Sequence, residues 1–349
     1  MINFNIVNNF KIEGKVLEIV PFGTGHINRT FLIRTDEKDY LLQRINDDVF
    51  KDVEGLMENV VGICEHLKKK KEDSRGYMTI INTINDKPYI RVKGDYWRVY
   101  ERIPNTIGLD MPESDEDFKQ SAVGIGMFIN DLADFDATKL NETIHDFHNT
   151  VDRYKKFHEV LKKDPVGRAK TCQKEIDFVL KHEYEASKLL DMGLPLKVTH
   201  NDTKLNNVLL DIDTRKAICV IDLDTVMPGY IAYDFGDSIR FGASTALEDE
   251  RDLSKVSMDI NLYRIFTEGF LSAYTNISDL EKESLPWGAK LMTLECGVRF
   301  LTDYIDGDNY FATNCLDHNL VRARTQFKLV EDMERKFEEM ERIVFDEKH

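Results

Sequence analysis

In the stretch VTHNDTKLNNVLLDIDTRKAICVIDLD, Asp202 stands two residues after His200, Asn207 five after Asp202, and Asp222 fifteen after Asn207. Phosphoryl transfer asks for this kind of set: a carboxylate that orients an attacking hydroxyl and takes its proton, and oxygen ligands that hold magnesium against phosphates. Asp202 is the candidate catalytic base, and Asn207 and Asp222 are the candidate metal ligands. Magnesium (Mg2+) suits so sparse a donor set, because it binds through few protein oxygens and otherwise keeps water and phosphate. Taken singly, Asp and Asn cap turns and end strands. The ordered set HxDxxxxN, apolar hairpin, IDxD points to chemistry.

The elements that must position these groups follow from pattern. NVLLDIDTRKAICVIDLD reads as two apolar strands joined by a short polar turn. Such a hairpin returns the end of its second strand to the loop before its first, so Asn207 and Asp222 converge. Upstream, short β-branched and apolar runs predict strands at 17–22, 30–35, 40–45, 78–81 and 96–103. Between the third and fourth, Val53, Leu56, Met57, Val60, Val61, Cys64 and Leu67 recur at helical spacing. After Pro104 helical periods dominate, at 115–135, 151–161, 172–192, 262–274, 286–304 and 319–343. The expected fold is therefore α+β and bilobal, of protein-kinase-like arrangement. A small β-sheet lobe with one main helix (1–103) precedes a larger, mostly helical lobe (104–349) that contains the catalytic hairpin.

A length of 349 residues fits two lobes better than one core. The formal charge of -16 argues against a nucleic-acid partner, whose affinity comes from clustered Lys and Arg. The one basic run, Lys68 to Lys71, reads as a solvated helix end. Five scattered cysteines without a CxxC pair signal neither a disulfide framework nor a zinc site, and they fit reduced thiols in a cytoplasmic protein. No run of about 18 apolar residues marks a membrane span, and the first residues lack a signal-peptide pattern. His145, His148 and His158 lack metal-ligand spacing and read as surface or packing histidines. No GxSxG elbow suggests a hydrolase.

HxDxxxxN followed by a hydrophobic-Asp pair resembles the aminoglycoside phosphotransferase and choline kinase-like family, over about Val16 to residue 330. The resemblance implies ATP as co-substrate, Asp202 as base, and metal binding by Asn207 and Asp222 with Asp224 assisting; Asp234, in YDFGD, resembles a carboxylate that supports the loops. Within that family, HNDTKxNNVLLD, VIDLDTVMPG and YDFGDSIRFGAST together resemble the N-acetylhexosamine 1-kinases. That likeness implies phosphorylation of the anomeric hydroxyl of N-acetylglucosamine or N-acetylgalactosamine by a monomer or small homo-oligomer.

On the nucleotide side, Gly23, Thr24 and Gly25 join the first two strands and could lie over phosphates, since glycines expose backbone N–H donors; a Gly-Thr-Gly is equally a hairpin turn. Many kinases carry a phosphate-contacting lysine on the third strand, paired with a helix glutamate. Here Gln43 takes that place, and Arg44 should face the other way. Either Gln43 makes a neutral contact, or Arg44 is re-aimed, or magnesium and loop amides suffice. Glu54 and Glu58 read as solvated helix residues. The backbone of Glu101, Arg102 and Ile103 is placed by position as the adenine-facing inter-lobe strand.

On the acceptor side the resemblance places His26, Asp202, Phe241, Arg299 and Tyr310 around the sugar. Plainer alternatives are a turn histidine, two core aromatics, and an arginine paired with a neighbouring acid. Other acceptors on the same fold, such as an aminoglycoside, choline, homoserine or another sugar, remain open. So does a pseudokinase-like binding module, which the missing lysine would suit.

Overall fold

A computed structural model describes residues 4–23 and 27–346. A short helix α1 (Phe4–Val7) precedes strands β1 (Val16–Pro21), β2 (Arg29–Thr35) and β3 (Asp39–Ile45). Helix α2 (Val53–Lys70) and strands β4 (Ile90–Val92) and β5 (Asp95–Glu101) follow, and the five strands form an antiparallel sheet in the order β1-β2-β3-β5-β4. Alternation decides which face each residue serves. Ile33, Tyr40, Leu42 and Val99 pack with Val7 and Phe10 on one face. Leu41, Ile45 and Tyr100 turn the other way, toward α2 and the second lobe. Asp52 caps α2 by accepting from the Gly55 N–H, and Lys68, Lys69 and Lys70 fill its last turn, as a macrodipole favours.

The strand expected at 78–81 is not one. The outer edge of β5 is shared in halves: β4 pairs with Asp95–Trp97, while Ile81 N–H donates to Val99 O (2.8 Å) and Glu101 N–H to Thr79 O (2.9 Å). Each partner is short because a two-residue turn, Lys93-Gly94 with both φ positive, folds β4 straight back onto β5.

The second lobe comprises β6 (Thr106–Ile107), α3 (Asp115–Asp131), α4 (Thr150–Lys163), α5 (Gln173–His182), α6 (Lys188–Asp191) and β7 (Lys197–Thr199). The hairpin β8 (Val208–Asp211) and β9 (Ala217–Val220), then β10 (Met227–Gly229), α7 (Ile231–Gly242), α8 (Ile260–Ala273), α9 (Asp279–Asp306) and α10 (His318–Val344) complete it. The single helix expected over 172–192 breaks into α5 and α6, where Glu185 is drawn inward to Lys290 of α9 at 2.7 Å. Helix α7 is embedded, with eight of its residues from Ile231 to Ile239 buried. It crosses α9 so closely that a Cβ on Gly236 or on Gly288 would strike the partner helix's backbone. All five cysteines are free, and no helix among the described residues is long and apolar enough to cross a membrane.

Candidate active site

The hairpin does what its sequence requires. Val208 pairs with Val220, and Ile221 N–H donates to Asn207 O at 2.9 Å, which sets the Asn207 loop beside Asp222. Asn207 Nδ2 donates to the Asp202 carbonyl (2.8 Å) and, at 3.3 Å, to its carboxylate, leaving the amide oxygen as the free end. Asp202 Oδ1 also lies 2.7 Å from Lys204 Nζ. Protein mass opposes the Lys204 charge, but Asp202 raises its pKa.

Two backbone conformations are special. Asn201 (φ 64°) and Asp222 (φ 61°) are left-handed, a region that Asn and Asp enter most readily among non-glycine residues. Each is held from outside. Asp234, fully buried in the first turn of α7, accepts from the N–H groups of His200 (2.8 Å) and Asn201 (2.7 Å). Thr225 Oγ1 donates to His200 O (2.7 Å), and Asn201 Nδ2 to Thr225 O (2.9 Å), tying the Asp202 and Asp222 loops together. His200 Nε2 meets Ile221 O at 2.8 Å. The carboxylate expected to support the loops is thus Asp234, acting through backbone amides.

Surrounding protein mass and the carboxylates of Asp224 and Asp202 push the Asp222 carboxyl up to about 6. Asp222 is itself exposed, so the neighbouring like charges carry the direction. Asp224 is 2% exposed; Arg98 Nη1 lies 2.6 Å from its Oδ1 yet out of line for a hydrogen bond, and that oxygen has no other partner among the described residues. Crowded carboxylates, one carrying an unsatisfied buried oxygen, beside a free amide oxygen form a donor set that fits a divalent cation. No cluster of three or more His, Cys, Asp or Glu among the described residues would hold a metal alone.

Thr24, Gly25 and His26 lie outside the described residues; Gly23 is exposed with φ 77° and open space around it. Gln43 does not face solvent alone: its Oε1 accepts from Arg98 Nε (3.0 Å) and Nη2 (2.9 Å), and its Nε2 donates to Thr30 Oγ1 (3.1 Å). Arg44 is not re-aimed, since it pairs with Asp95 at 2.6 Å. Glu54 and Glu58 are exposed, as expected, and the polar anchor of α2 is the buried Asn59, which donates to Asn141 O (2.8 Å) and Val226 O (3.0 Å). Lys38 pairs with the Glu101 carboxylate at 3.2 Å, and the Ile103 N–H donates to no described residue.

Phe241 is no core aromatic. It is 40% exposed and lines both a cavity of about 160 Å³ with Thr203 and Lys204 and one of about 320 Å³ with Arg240 and Glu248. Arg299 makes no ion pair among the described residues; it stacks over Tyr310 (5.7 Å) and Phe311 (5.4 Å). Tyr310 is 72% exposed. His145 is exposed and His158 half-exposed, but His148 keeps only 9% of its side chain exposed, its ring 3.2 Å from Glu295 Oε1 and 3.2 Å from Asn201 O. Sequence reasoning did not single out Arg98, Asn59 or the His148–Glu295 pair. Only Arg98 left a signal: a lone cation inside the apolar run YWRVY.

Small sheet, helical lobe, hairpin and acid cluster together define a kinase-like phosphotransferase architecture. The chain belongs to the phosphotransferase enzyme family (APH), whose profile matches residues 18–257. In three dimensions it resembles an aminoglycoside phosphotransferase from Alicyclobacillus acidocaldarius (13% identity, 97% of each chain covered, TM-score 0.63). It also resembles a microcompartment-associated aminopropanol kinase (13%, 96% of this chain and 97% of that one, TM-score 0.60). A third similar structure is an ethanolamine kinase of Plasmodium vivax (15%, 93% and 84%, TM-score 0.54).

Proposed function

We propose that this phosphotransferase is an ATP- and Mg2+-dependent kinase that phosphorylates the anomeric hydroxyl of an N-acetylhexosamine. The observation that carries the phosphoryl-transfer reading is the convergence of Asp202, Asn207 and Asp222 through the β8–β9 hairpin. Asp202 orients the sugar hydroxyl and accepts its proton. Asn207 and Asp222, with Asp224 behind them, would hold magnesium, which supplies neutralisation of phosphate charge when bound. Lys204, 2.7 Å from Asp202 Oδ1, holds that carboxylate in place. Gly23, Thr24 and Gly25 cover the phosphates, and the unpartnered Ile103 N–H with the Glu101 backbone meets adenine. Among similar structures, a spectinomycin phosphotransferase was solved with ADP and spectinomycin, which supports a nucleotide in this cleft.

The sugar assignment rests on the long shared phrases HNDTK, VIDLDTVMPG and YDFGDSIRFGAST. The acceptor side supports it: Phe241 and Tyr310 offer apolar faces, and Arg299 offers donors to hydroxyl or acetyl oxygen. ADP release measured across N-acetylglucosamine, N-acetylgalactosamine, an aminoglycoside, choline, ethanolamine and homoserine tests the assignment. Preference for the N-acetylhexosamines is expected; preference for a cationic acceptor would overturn it.

A further inference from the structure

The lysine absent from the third strand leaves a question of charge: three carboxylates, Asp202, Asp222 and Asp224, converge at the site, and β3 brings only the neutral Gln43. Arg98 answers it from the adjacent strand. It sits opposite Gln43 in the β3–β5 register, is 1% exposed, and aims its guanidinium across the lobe boundary. Nη1 and Nη2 lie 2.6 and 2.8 Å from the two oxygens of Asp224, while Nε and Nη2 hold Gln43 Oε1. Its ring-face neighbour is Tyr100 at 5.1 Å, and Met57 Sδ of α2 lies 3.7 Å from Nη1. Asn28, at the start of β2, adds a second grip on Asp224 at 2.6 Å, and Thr143 Oγ1 donates to Asp224 O (3.1 Å).

We propose that Arg98 is a positioning residue for cation binding: by clamping Asp224 it fixes the left-handed turn at Asp222 and lets strand β5 of the first lobe set the cation affinity of the second. This rests on the reading of Asn207 and Asp222 as cation ligands. A guanidinium so buried does not reach nucleotide phosphates without leaving Asp224, so its action is indirect. Its planar fork matches both Asp224 and Gln43 at once, which a lysine ammonium does not reproduce. The missing third-strand cation is thereby replaced by one that acts on the metal loop, and Gln43 is the brace that orients it.

The test uses the full chain with Mn2+ and ADP as probes. Binding of ADP is measured by calorimetry in EDTA and in Mn2+, and Mn2+ binding by water proton relaxation, for wild type, Arg98→Lys, Arg98→Gln, Arg98→Gln/Asp224→Asn and Asp222→Asn. Arg98→Lys is expected to weaken Mn2+ at least tenfold while ADP affinity in EDTA and the acceptor KM stay within twofold. Arg98→Gln, which strands a buried carboxylate, should lower the melting temperature, and the double variant should recover it. An equal loss of ADP affinity in EDTA would make Arg98 a phosphate contact and overturn the proposal. So would wild-type Mn2+ affinity in Arg98→Lys when Asp222→Asn has lost it. Unchanged Mn2+ affinity in Asp222→Asn would overturn both the proposal and the ligand assignment beneath it.

Discussion

His148 shows how a residue outside the motif governs one inside it. Its ring lies between Glu295 and the carbonyl of Asn201, the left-handed residue before the candidate base, with Asp237 near enough to add charge and Tyr233 packed on the ring. Burial opposes the imidazolium, but Glu295 outweighs it and raises the pKa above 6.5; burial likewise opposes the Glu295 carboxylate, but His148 lowers its pKa below 4.5. A raised histidine stabilises fully below its unfolded value and loses that contribution as pH rises through its folded value; a lowered glutamate loses its own as pH falls through its folded value. The pair therefore contributes most between 4.5 and 6.5 and fades above that window. Chemical denaturation across pH should show wild type exceeding His148→Gln in stability by most inside that window, with the gap shrinking toward alkaline pH. A gap independent of pH would contradict the ion pair. Residues such as Asp202, Asn207 and Asp222 were legible because one contiguous stretch carries them at motif spacing. His148 and Glu295 were not, because 147 positions separate them and only the packing of α9 behind the catalytic loop makes them partners.

At the scale of elements, the hairpin was readable from two apolar runs around a polar turn, and α2, α3 and α10 from their periods. Helix α7 was not, since Asp234, Gly236 and Ser238 stand among its buried residues and break up the apolar side that would mark it. Yet α7 presents Asp234 to the catalytic loop, so its seating on α9 is functional. Gly236 and Gly288 permit that seating, and a methyl at either meets the backbone of the opposing helix. Gly288→Ala should cost about 1–3 kcal/mol through overpacking, read by urea denaturation, and should lower turnover along with stability by displacing Asp234. Wild-type stability in this variant would show that the crossing yields freely. Strand register likewise hid Arg98: YWRVY reads as a strand whichever face the arginine takes, and only pairing with β3 turns it toward Asp224.

Over the whole molecule, the two lobes share an apolar core beneath α2, and buried polar contacts cross beside it. Asn59 from α2, Arg98 from β5 and Asn28, just before β2, all reach the loop that follows β9, so the Asp222 loop is gripped from the first lobe while Asp234 grips the Asp202 loop from the second. Phosphoryl transfer depends on such positioning more than on covalent participation by the protein. The family and the α+β bilobal fold were legible from texture and motif, whereas Phe241, Arg299 and Tyr310, the residues proposed for the acceptor, come from distant segments that the sequence alone does not assemble. The most direct measurement of the central claim is the rate of acceptor-dependent ADP formation by wild type and Asp202→Asn with Mg2+, ATP and N-acetylglucosamine, alongside nucleotide binding by each. The account predicts sugar 1-phosphate formation by wild type, loss of at least about a hundredfold of that rate in the variant, consistent with removal of a general base, and nucleotide affinity within a few-fold. Undiminished turnover in Asp202→Asn would contradict it.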